Sequence, residues 1–376
     1  MVEKTVLSKA KFALPCQIKG KLKMMGRASN KQIDLKKRWA QFRAANPQVK
    51  IRDAAKKLGV SEAELLATEV GETVIKLDDN FDDLLQEFHT LGRIMALTRN
   101  EEIVHERKGE YVNVEVMKGH GKMGLALGDD IDLRIFFKNW HFGFAVTGQS
   151  PRGAMRSFQF FDIDGTAIHK VFLTDASNLS AYEKLVEKYC SADQSPRVKI
   201  LSKLAKKAEK TDSEIDVAGF REAWAAMKDT HDFFGMTRKF GVSREQALRL
   251  ADREMAFQVP TDTYQYILQK ASDTKLPIMI FVANDGIIQI HTGEVEKVAE
   301  ARGWFNVLDE KFNLHINQSK IASTWIVKKP TSDGIVSSLE IFNKQGENVA
   351  LFFGKRKPGI PEKKEWSDLL AVIKPS

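Results

Sequence analysis

Cysteine is nearly absent from this chain, and so is any long hydrophobic run. Only Cys16 and Cys190 occur among 376 residues, which excludes a disulfide-built scaffold and favours a reducing compartment. No stretch of 18 apolar residues predicts a membrane span. The basic N-terminus lacks the continuous apolar core of a secretory signal. We therefore expect a cytoplasmic protein.

Motifs of common enzyme and metal sites are missing as well. The cysteines are isolated, and no pair of histidines, or of glutamate and histidine, falls at a zinc-binding spacing on a helix. The glycine patterns of phosphate and dinucleotide loops do not occur, nor does the serine elbow of hydrolases. Catalytic residues therefore stay unassigned.

The chain is rich in positive charge and in apolar residues. Its formal net charge is +8, and 43% of its residues are hydrophobic, enough for two or three domains with cores of their own. A basic surface attracts nucleic acid, anionic lipid or a dicarboxylate ligand. The charge alone does not choose among these partners.

The two halves of the sequence repeat each other. Trp39 in RWAQFRAANPQVKIRDAAKKLGVSEAELL matches Trp224 in AWAAMKDTHDFFGMTRKFGVSREQALRL, and two later blocks match in the same order. The offset stays between 181 and 185 residues, which is hard to obtain by chance. We predict a basic extension over residues 1–36, a first half over 37–192, a linker over 193–220 and a second half over 221–376.

Each half begins with helical patterns and continues with short strand patterns. Two short helices around Gly59 are predicted within Asp53–Leu66, and turn signals such as Asp164-Gly165 bound the strands. Helices followed by strands with hairpin-length connections indicate an α+β fold. We expect a tandem duplication in which each half forms a large antiparallel β-sheet with helices.

One segment admits a reading as a DNA-binding motif. RDAAKKLGVSEAEL, within residues 50–66, resembles a helix-turn-helix, with a glycine at the turn and a serine that caps the second helix. The same Gly-Val-Ser turn recurs at 241–243 as part of the repeat. A DNA-binding regulator is therefore the alternative hypothesis, and nucleic acid is not the expected partner.

His231 is the residue that points most directly to a ligand. It lies in a helical pattern beside Phe233, Phe234 and Arg238, with Arg244 close behind. An imidazole ligates iron, aromatic rings pack on a flat macrocycle, and arginines hold carboxylates. These are the requirements of a haem site, although a surface histidine at a helix end has the same spacing.

The chain resembles the bacterial hemin-degrading or hemin-transport factors of the HemS, ChuS and HmuS type. The resemblance rests on ordered blocks from about Trp39 to Trp366, including MKDTHDFF, IMIFVANDGIIQIHTG, WFNVLDEKFNLHI and FFGKRKPGIPEKKEW. It implies two copies of one α+β half, with haem b (iron protoporphyrin IX) between the second sheet and helices near the middle of the chain. The first 36 residues have no counterpart in the family.

The resemblance also implies a set of site residues. His231 is the expected axial ligand and the expected metal-binding residue. The remaining haem-binding residues follow from the matched blocks: Arg134, Arg244, Phe281, Lys329 and Arg356. Haem carries two propionates that fixed cations satisfy, and an aromatic ring packs on the porphyrin. His105 matches a first-half histidine of the family and is a candidate for a second, weaker site.

One departure from the family bears on activity. Some relatives present a glutamine and a tyrosine from the last strand, where this chain has Leu351 and Phe353. Distal polarity governs whether haem is bound or activated. The resemblance therefore implies a haem carrier of bacterial iron uptake, with haem degradation as an additional activity. A haem importer, a reductase, a downstream haem oxygenase and a second copy of the chain are the partners that it leaves open.

Overall fold

Two nine-stranded antiparallel sheets dominate the computed structural model, which describes residues 30–117, 119, 122–150, 153–203, 208–357 and 359–376. In spatial order the first sheet contains β1 (Val74–Lys76), β7 (Phe142–Ser150), β8 (Gly153–Phe161), β9 (Ala167–Ser177), β2 (Gly92–Arg99), β3 (Ile103–Gly109), β15 (Phe312–Asn317), β14 (Trp304–Leu308) and β13 (Val298–Ala301). The second contains β10 (Ala256–Val259), β16 (Ile321–Thr331), β17 (Gly334–Asn343), β18 (Asn348–Gly354), β11 (Ile278–Asn284), β12 (Ile287–Gly293), β6 (Asp132–Phe136), β5 (Met123–Leu127) and β4 (Val114–Met117).

Helices precede and flank the strands of each half, as the α+β prediction requires. The α-helices of the described residues are α1 (Asn30–Ala45), α2 (Ile51–Leu58), α3 (Glu62–Ala67), α4 (Phe81–Gln86), α5 (Leu179–Lys188), α6 (Val217–Ala225), α7 (Asp232–Phe240), α8 (Arg244–Leu250), α9 (Thr263–Thr274) and α10 (Lys364–Ala371). None of the helices in the described part of the chain is long and apolar enough to cross a membrane.

The predicted duplication is confirmed down to its turns. Gly59 ends α2 and Gly241 ends α7, both in the left-handed region with φ 69°, where the missing side chain avoids a clash. Ser61 and Ser243 then cap α3 and α8 by accepting hydrogen bonds from backbone N–H groups three residues on. The sequence of glycine turn and serine cap therefore folds identically in both halves.

The halves exchange strands, which the repeat did not predict. Each sheet takes six strands from one half and three strands at one edge from the other half, because β15 pairs with β3 and β6 pairs with β12. The sequence-based boundaries at 192 and 221 therefore do not separate two self-contained sheets. Residues 1–29 of the predicted extension lie outside the described residues, and α6 begins inside the predicted linker.

A reciprocal pair of asparagines fastens the halves together. Asn100 donates both side-chain N–H groups to the carbonyl oxygens of Ala283 and Val349, at 3.1 and 2.8 Å. Asn284 donates in the same way to two carbonyl oxygens of the first half, at 3.0 and 2.8 Å. Each amide satisfies carbonyl groups that the other half presents at its hairpin turn.

The two sheets pack face to face over a core that includes buried polar residues. His105, His169 and His291 are each at most 1% exposed. His291 stacks on Phe312 with ring centroids 3.8 Å apart, and Tyr111 is hydrogen-bonded to His169 at 2.7 Å. This core separates the outer face of the first sheet from the outer face of the second.

The helix-turn-helix of the first half is real but is built into the core. Five of the six residues of α3, which would be the recognition helix, are buried, among them Leu65 and Leu66. Glu62 at its start forms an ion pair with Lys170 of β9. A recognition helix must enter the major groove with its side chains free, so this geometry opposes the DNA-binding alternative.

Candidate functional site

Among the described residues, helices cover the outer face of the second sheet on one side. A helical cluster packs over β16 and β17, with Val327 and Phe342 in the shared core; its buried helical residues include Phe220, Trp224, Phe233, Met236 and Leu248. Beyond β17 the same face carries half-buried side chains, which leaves an apolar strip beside the helices.

The strand register shows that this strip is continuous with the part of the face that the helices cover. One cross-strand row runs through Trp325, Glu340, Leu351, Phe281, Ile290 and Asp132. Phe281 also meets Phe353 edge to face, with ring centroids 5.3 Å apart. Alternate residues of a strand share a face, so Phe281, Leu351 and Phe353 form one apolar surface. Leu351 and Phe353, the two positions at which this chain departs from some relatives, therefore both lie on this strip.

His231 stands at the helical edge of the site. It immediately precedes α7 rather than lying within a helix, and its side chain is 93% exposed. Its Nδ1 is 2.6 Å from Asp229 Oδ1, which also accepts the His231 backbone N–H at 2.8 Å. With Nδ1 as the donor, Nε2 is left as a lone pair for a metal, the usual arrangement of a histidine ligand.

The turn that carries His231 is held by carboxylates. Asp232 Oδ2 accepts the backbone N–H groups of Lys228 and Asp229, each at 3.0 Å. The backbone and ring N–H groups of His231 lower the pKa of Asp229, and Arg356 acts in the same direction. Arg356 itself is ion-paired with Asp333, with its Nη2 3.7 Å from Oδ2, and its side chain is 17% exposed.

A buried ion cluster lies behind the turn. Arg244 binds the Glu340 carboxylate through Nε and Nη2 at 2.7 and 2.8 Å, and Lys329 Nζ binds it at 2.7 Å. Both cations also face the ring of Phe233, with Lys329 Nζ 4.5 Å and Arg244 Cζ 4.9 Å from its centroid. Burial would raise the pKa of Glu340, but Arg244 and Lys329 hold it at about 2.

Lys329 is placed differently from what its expected contact with a propionate would require. Its side chain is only 3% exposed, and its ammonium is occupied by Glu340 and Phe233. Burial lowers its pKa to about 8 against the opposing effect of Glu340. Arg244 is 31% exposed and remains accessible. A direct contact with a propionate therefore stays a prediction for Arg244, whereas Lys329 contacts Glu340 in this structure.

Strand exchange brings Arg134 to the site. It belongs to the first half of the sequence, yet β6 adds to the second sheet and places Arg134 opposite Ile288 of β12. Its guanidinium is ion-paired with Asp132, and its side chain is 33% exposed. The structure thus brings all six predicted residues to the outer face of the second sheet or to the turns beside it.

Two aspects of the site differ from expectation or escaped it. His105 is fully buried between the sheets and finds no hydrogen-bond partner among the described residues, so it cannot reach a ligand as the second-site hypothesis requires. Glu340 escaped the sequence analysis, although a charged residue in the apolar stretch SSLEIF was a signal for a buried ion cluster.

Fold and site together define a duplicated two-sheet protein with a histidine and several cations beside an apolar strip. A family model described as the haemin-degrading HemS.ChuX domain matches residues 59–189 and 241–372. The two matched segments correspond to the two copies of the duplication and cover well over half of the chain. The chain therefore belongs to this family.

Individual relatives agree over almost the whole chain. The hemin transport protein HmuS of Yersinia pestis is 36% identical over 90% of this chain and 97% of its own length. The holo form of PhuS, a heme-binding protein of Pseudomonas aeruginosa, is 45% identical with a TM-score of 0.90, over 92% of this chain and 99% of that structure. ChuS, an Escherichia coli heme oxygenase, is 32% identical with a TM-score of 0.81, over 91% and 100%.

Proposed function

We propose that this protein binds haem b on the outer face of the second sheet, with His231 as the axial ligand. The observation that carries the proposal is an exposed imidazole whose Nδ1 is tied to Asp229, so that Nε2 is available to iron. Relatives named for hemin transport and for heme binding, at 36% and 45% identity, support it.

The remaining residues suit the two sides of a haem. Phe281, Leu351 and Phe353 offer an apolar surface for the porphyrin. Arg244 supplies positive charge for the propionates from the helical side, and Arg134 and Arg356 supply it from the sheet and from the segment after β18. Lys329 contributes through Glu340 in the ligand-free geometry.

We propose transport as the primary role and degradation as an additional one. Leu351 and Phe353 give the strip no hydroxyl or amide to hydrogen-bond an iron-bound species, which favours holding haem over activating it. Degradation is kept as a second candidate because the family model and one relative are described by that activity. In either role the protein would work in the cytoplasm and receive haem from an importer. As a carrier it would pass haem to a haem oxygenase, and as an enzyme it would take electrons from a reductase. A homodimer is compatible with both roles.

A hemin titration with two matched variants tests the axial ligand. His231→Ala should shift the Soret band and weaken binding by roughly a hundredfold, because the native iron bond is lost. His89→Ala is the control, since His89 is exposed, lies far from His231 in the sequence and is hydrogen-bonded through Nδ1 to the carbonyl oxygen of Gln86. An unchanged spectrum in His231→Ala would assign the iron to another residue.

Reduction of the haem complex under air separates the two roles. With ascorbate or a reductase and with catalase present, a persistent Soret band indicates a carrier. Loss of the band together with a linear tetrapyrrole and released iron indicates an enzyme. Failure of the purified protein to bind hemin at all would overturn the proposed function.

A further inference from the structure

Glu340 is the most deeply buried charge at the site and has no assigned role. It is 0% exposed and accepts two hydrogen bonds from Arg244 and one from Lys329. Ser338 Oγ lies 3.3 Å from the same carboxylate. Burying a carboxylate is costly unless it is fully paired, so a neutral residue would serve stability as well. The cost suggests a role in orienting its partners.

The cluster fixes the guanidinium of Arg244 through two of its three nitrogens. Nε and Nη2 are bound to Glu340, and no described residue accepts a hydrogen bond from Nη1. A guanidinium fixed along one edge presents its remaining N–H groups in a set direction. Because 31% of the Arg244 side chain is exposed, these groups are accessible to a ligand.

The same cluster supports the turn that carries His231. Phe233, two residues after His231, is contacted by Arg244 and Lys329 and packs edge to face on Trp224 with ring centroids 5.1 Å apart. Cations fixed over an aromatic ring stabilise its position. Removing Glu340 would free both cations and loosen the first turn of α7.

We propose that Glu340 is a positioning residue, which aims Arg244 at a carboxylate of the ligand and keeps Lys329 against Phe233. The inference rests on the proposed function, since the carboxylate concerned is a haem propionate. Two cations and one carboxylate leave the cluster with one excess positive charge, which matches one propionate. Glu340 thereby makes the site selective for ligands that carry a free carboxylate.

Glu340→Gln keeps the side-chain shape while removing its charge. Without the carboxylate the pKa of Lys329 falls further, because the group that opposes its desolvation is gone. The positive charge of the cluster is not lost with Glu340, because Arg244 stays protonated. A loss of selectivity in this variant therefore reports orientation rather than a loss of positive charge.

Two measurements test the proposal, one of them without haem. In the ligand-free protein, hydrogen exchange of the Arg244 Nε–H, followed by NMR and assigned with Arg244→Lys, should be slow and become at least about tenfold faster in Glu340→Gln. In titrations, the wild type should bind hemin about tenfold or more tightly than hemin dimethyl ester. In Glu340→Gln this ratio should fall towards one, while the Soret maximum still reports a histidine ligand.

The control is Glu362→Gln, which removes the charge of a half-buried carboxylate that accepts the backbone N–H of Ser337, on β17, at 2.6 Å. It should leave both readouts unchanged. Full discrimination against the ester in Glu340→Gln would overturn the proposal. If Glu340→Gln does not fold, the double variant Glu340→Gln/Lys329→Met removes both buried charges and should show the same loss of discrimination.

The outcome for the proposed function is separate. A wild type that binds neither hemin nor its ester would overturn haem binding. The exchange of the Arg244 Nε–H would still decide the matter for Glu340, because unprotected exchange in the wild type contradicts the positioning role.

Discussion

The two halves share one fold but present opposite chemistry at equivalent positions. Residues directly after the serine caps correspond, so Arg244 of the second half is matched by Glu62 of the first. The strand register matches Leu351 with Lys170. Leu351 is paired with Glu340 of β17, and Lys170 is paired with Gln159 of the equivalent strand β8. In the first half Lys170 and Glu62 pair with each other. The first-half face is thus closed by its own ion pair.

The comparison extends to the buried ion cluster of the second half. Gln159 occupies the position of Glu340, and Gly148 that of Lys329, so the first half has neither the buried carboxylate nor its lysine. Its α2 is also tied down, because Arg52 donates to the carbonyl oxygen of Asn100 at 3.2 Å. The same backbone therefore carries a buried ion cluster with a partly exposed arginine on one face and a self-contained ion pair on the other.

The largest effect should come from acid, which acts on the core shared by both halves. Burial lowers the pKa of His169 and of His291 to about 3, and lowers that of His105 as well. The unfolded chain binds protons near pH 6.5 whereas the folded one does not, so this stability is present above pH 6.5 and is lost as pH falls towards 3. By pH 5 the loss should reach about 2 kcal/mol per histidine.

Urea denaturation at pH 7 and pH 5 measures this effect. His291→Gln should flatten the pH dependence, and exposed His141→Gln should not. Because the core belongs to both halves, a single transition is expected throughout. Two separate transitions would show that the halves unfold independently and would contradict the shared core on which the comparison rests.

A charge reversal converts the second half to the chemistry of the first. Arg244→Glu places a carboxylate beside Glu340, where repulsion and the lost contact with a propionate should weaken hemin binding by about 2–5 kcal/mol. Arg249→Glu makes the same change on the same helix, at a position paired with Asp212, and should retain hemin binding. Equal loss in both variants, measured by hemin titration, would point to helix stability rather than to the site.

A smaller effect is expected from the residue that the first half lends to the second. Arg134→Ala removes a partly exposed cation already paired with Asp132, so hemin affinity should fall by about 0.5–1 kcal/mol. Titration at low and high salt provides the measurement. Because an exposed charge is screened, the difference from wild type should shrink at high salt, and a salt-independent loss would contradict an electrostatic role.

The smallest effect tests whether the first face can be opened. Lys170→Leu/Glu62→Gln removes both members of the buried pair and installs the residue found at Leu351. Hemin stoichiometry should stay at one per chain, since this face still has no histidine before α2. Isothermal titration calorimetry gives the stoichiometry. A second equivalent of bound hemin would show that the ion pair alone had closed the face.

Local features of the fold were predictable because the physics that sets them is local. The turn at Gly59, the serine caps and the alternation in segments such as Ile278–Val282 follow from neighbours in sequence. The exchange of three strands between the halves was not predictable. Both halves offer the same kind of sheet edge, and the residue pattern of a strand does not indicate which of the two edges it will pair with. Arg134 was assigned by resemblance, and only the exchange explains how a first-half residue reaches the second sheet.

The site shows the same division. His231 and the aromatic residues were predicted from their chemistry and their family motif. Glu340 could not be predicted, because a strand pattern indicates a buried position but not the partners that make a charge tolerable there. Its two cations come from residues 96 and 11 positions away, and their convergence is a property of the tertiary structure.

The exchange of strands suggests how such a molecule could arise and diverge. Two half-length chains that exchanged their middle three strands, the counterparts of β4–β6 and β13–β15, would build the same pair of sheets as a symmetric dimer. In such a dimer every substitution alters both faces at once. Fusion into one polypeptide keeps the partners at high effective concentration and lets each copy mutate alone. One face could then acquire the ion pair of Lys170 and Glu62 while the other kept Arg244 partly exposed. Each copy would still supply three strands at one edge of the other's sheet.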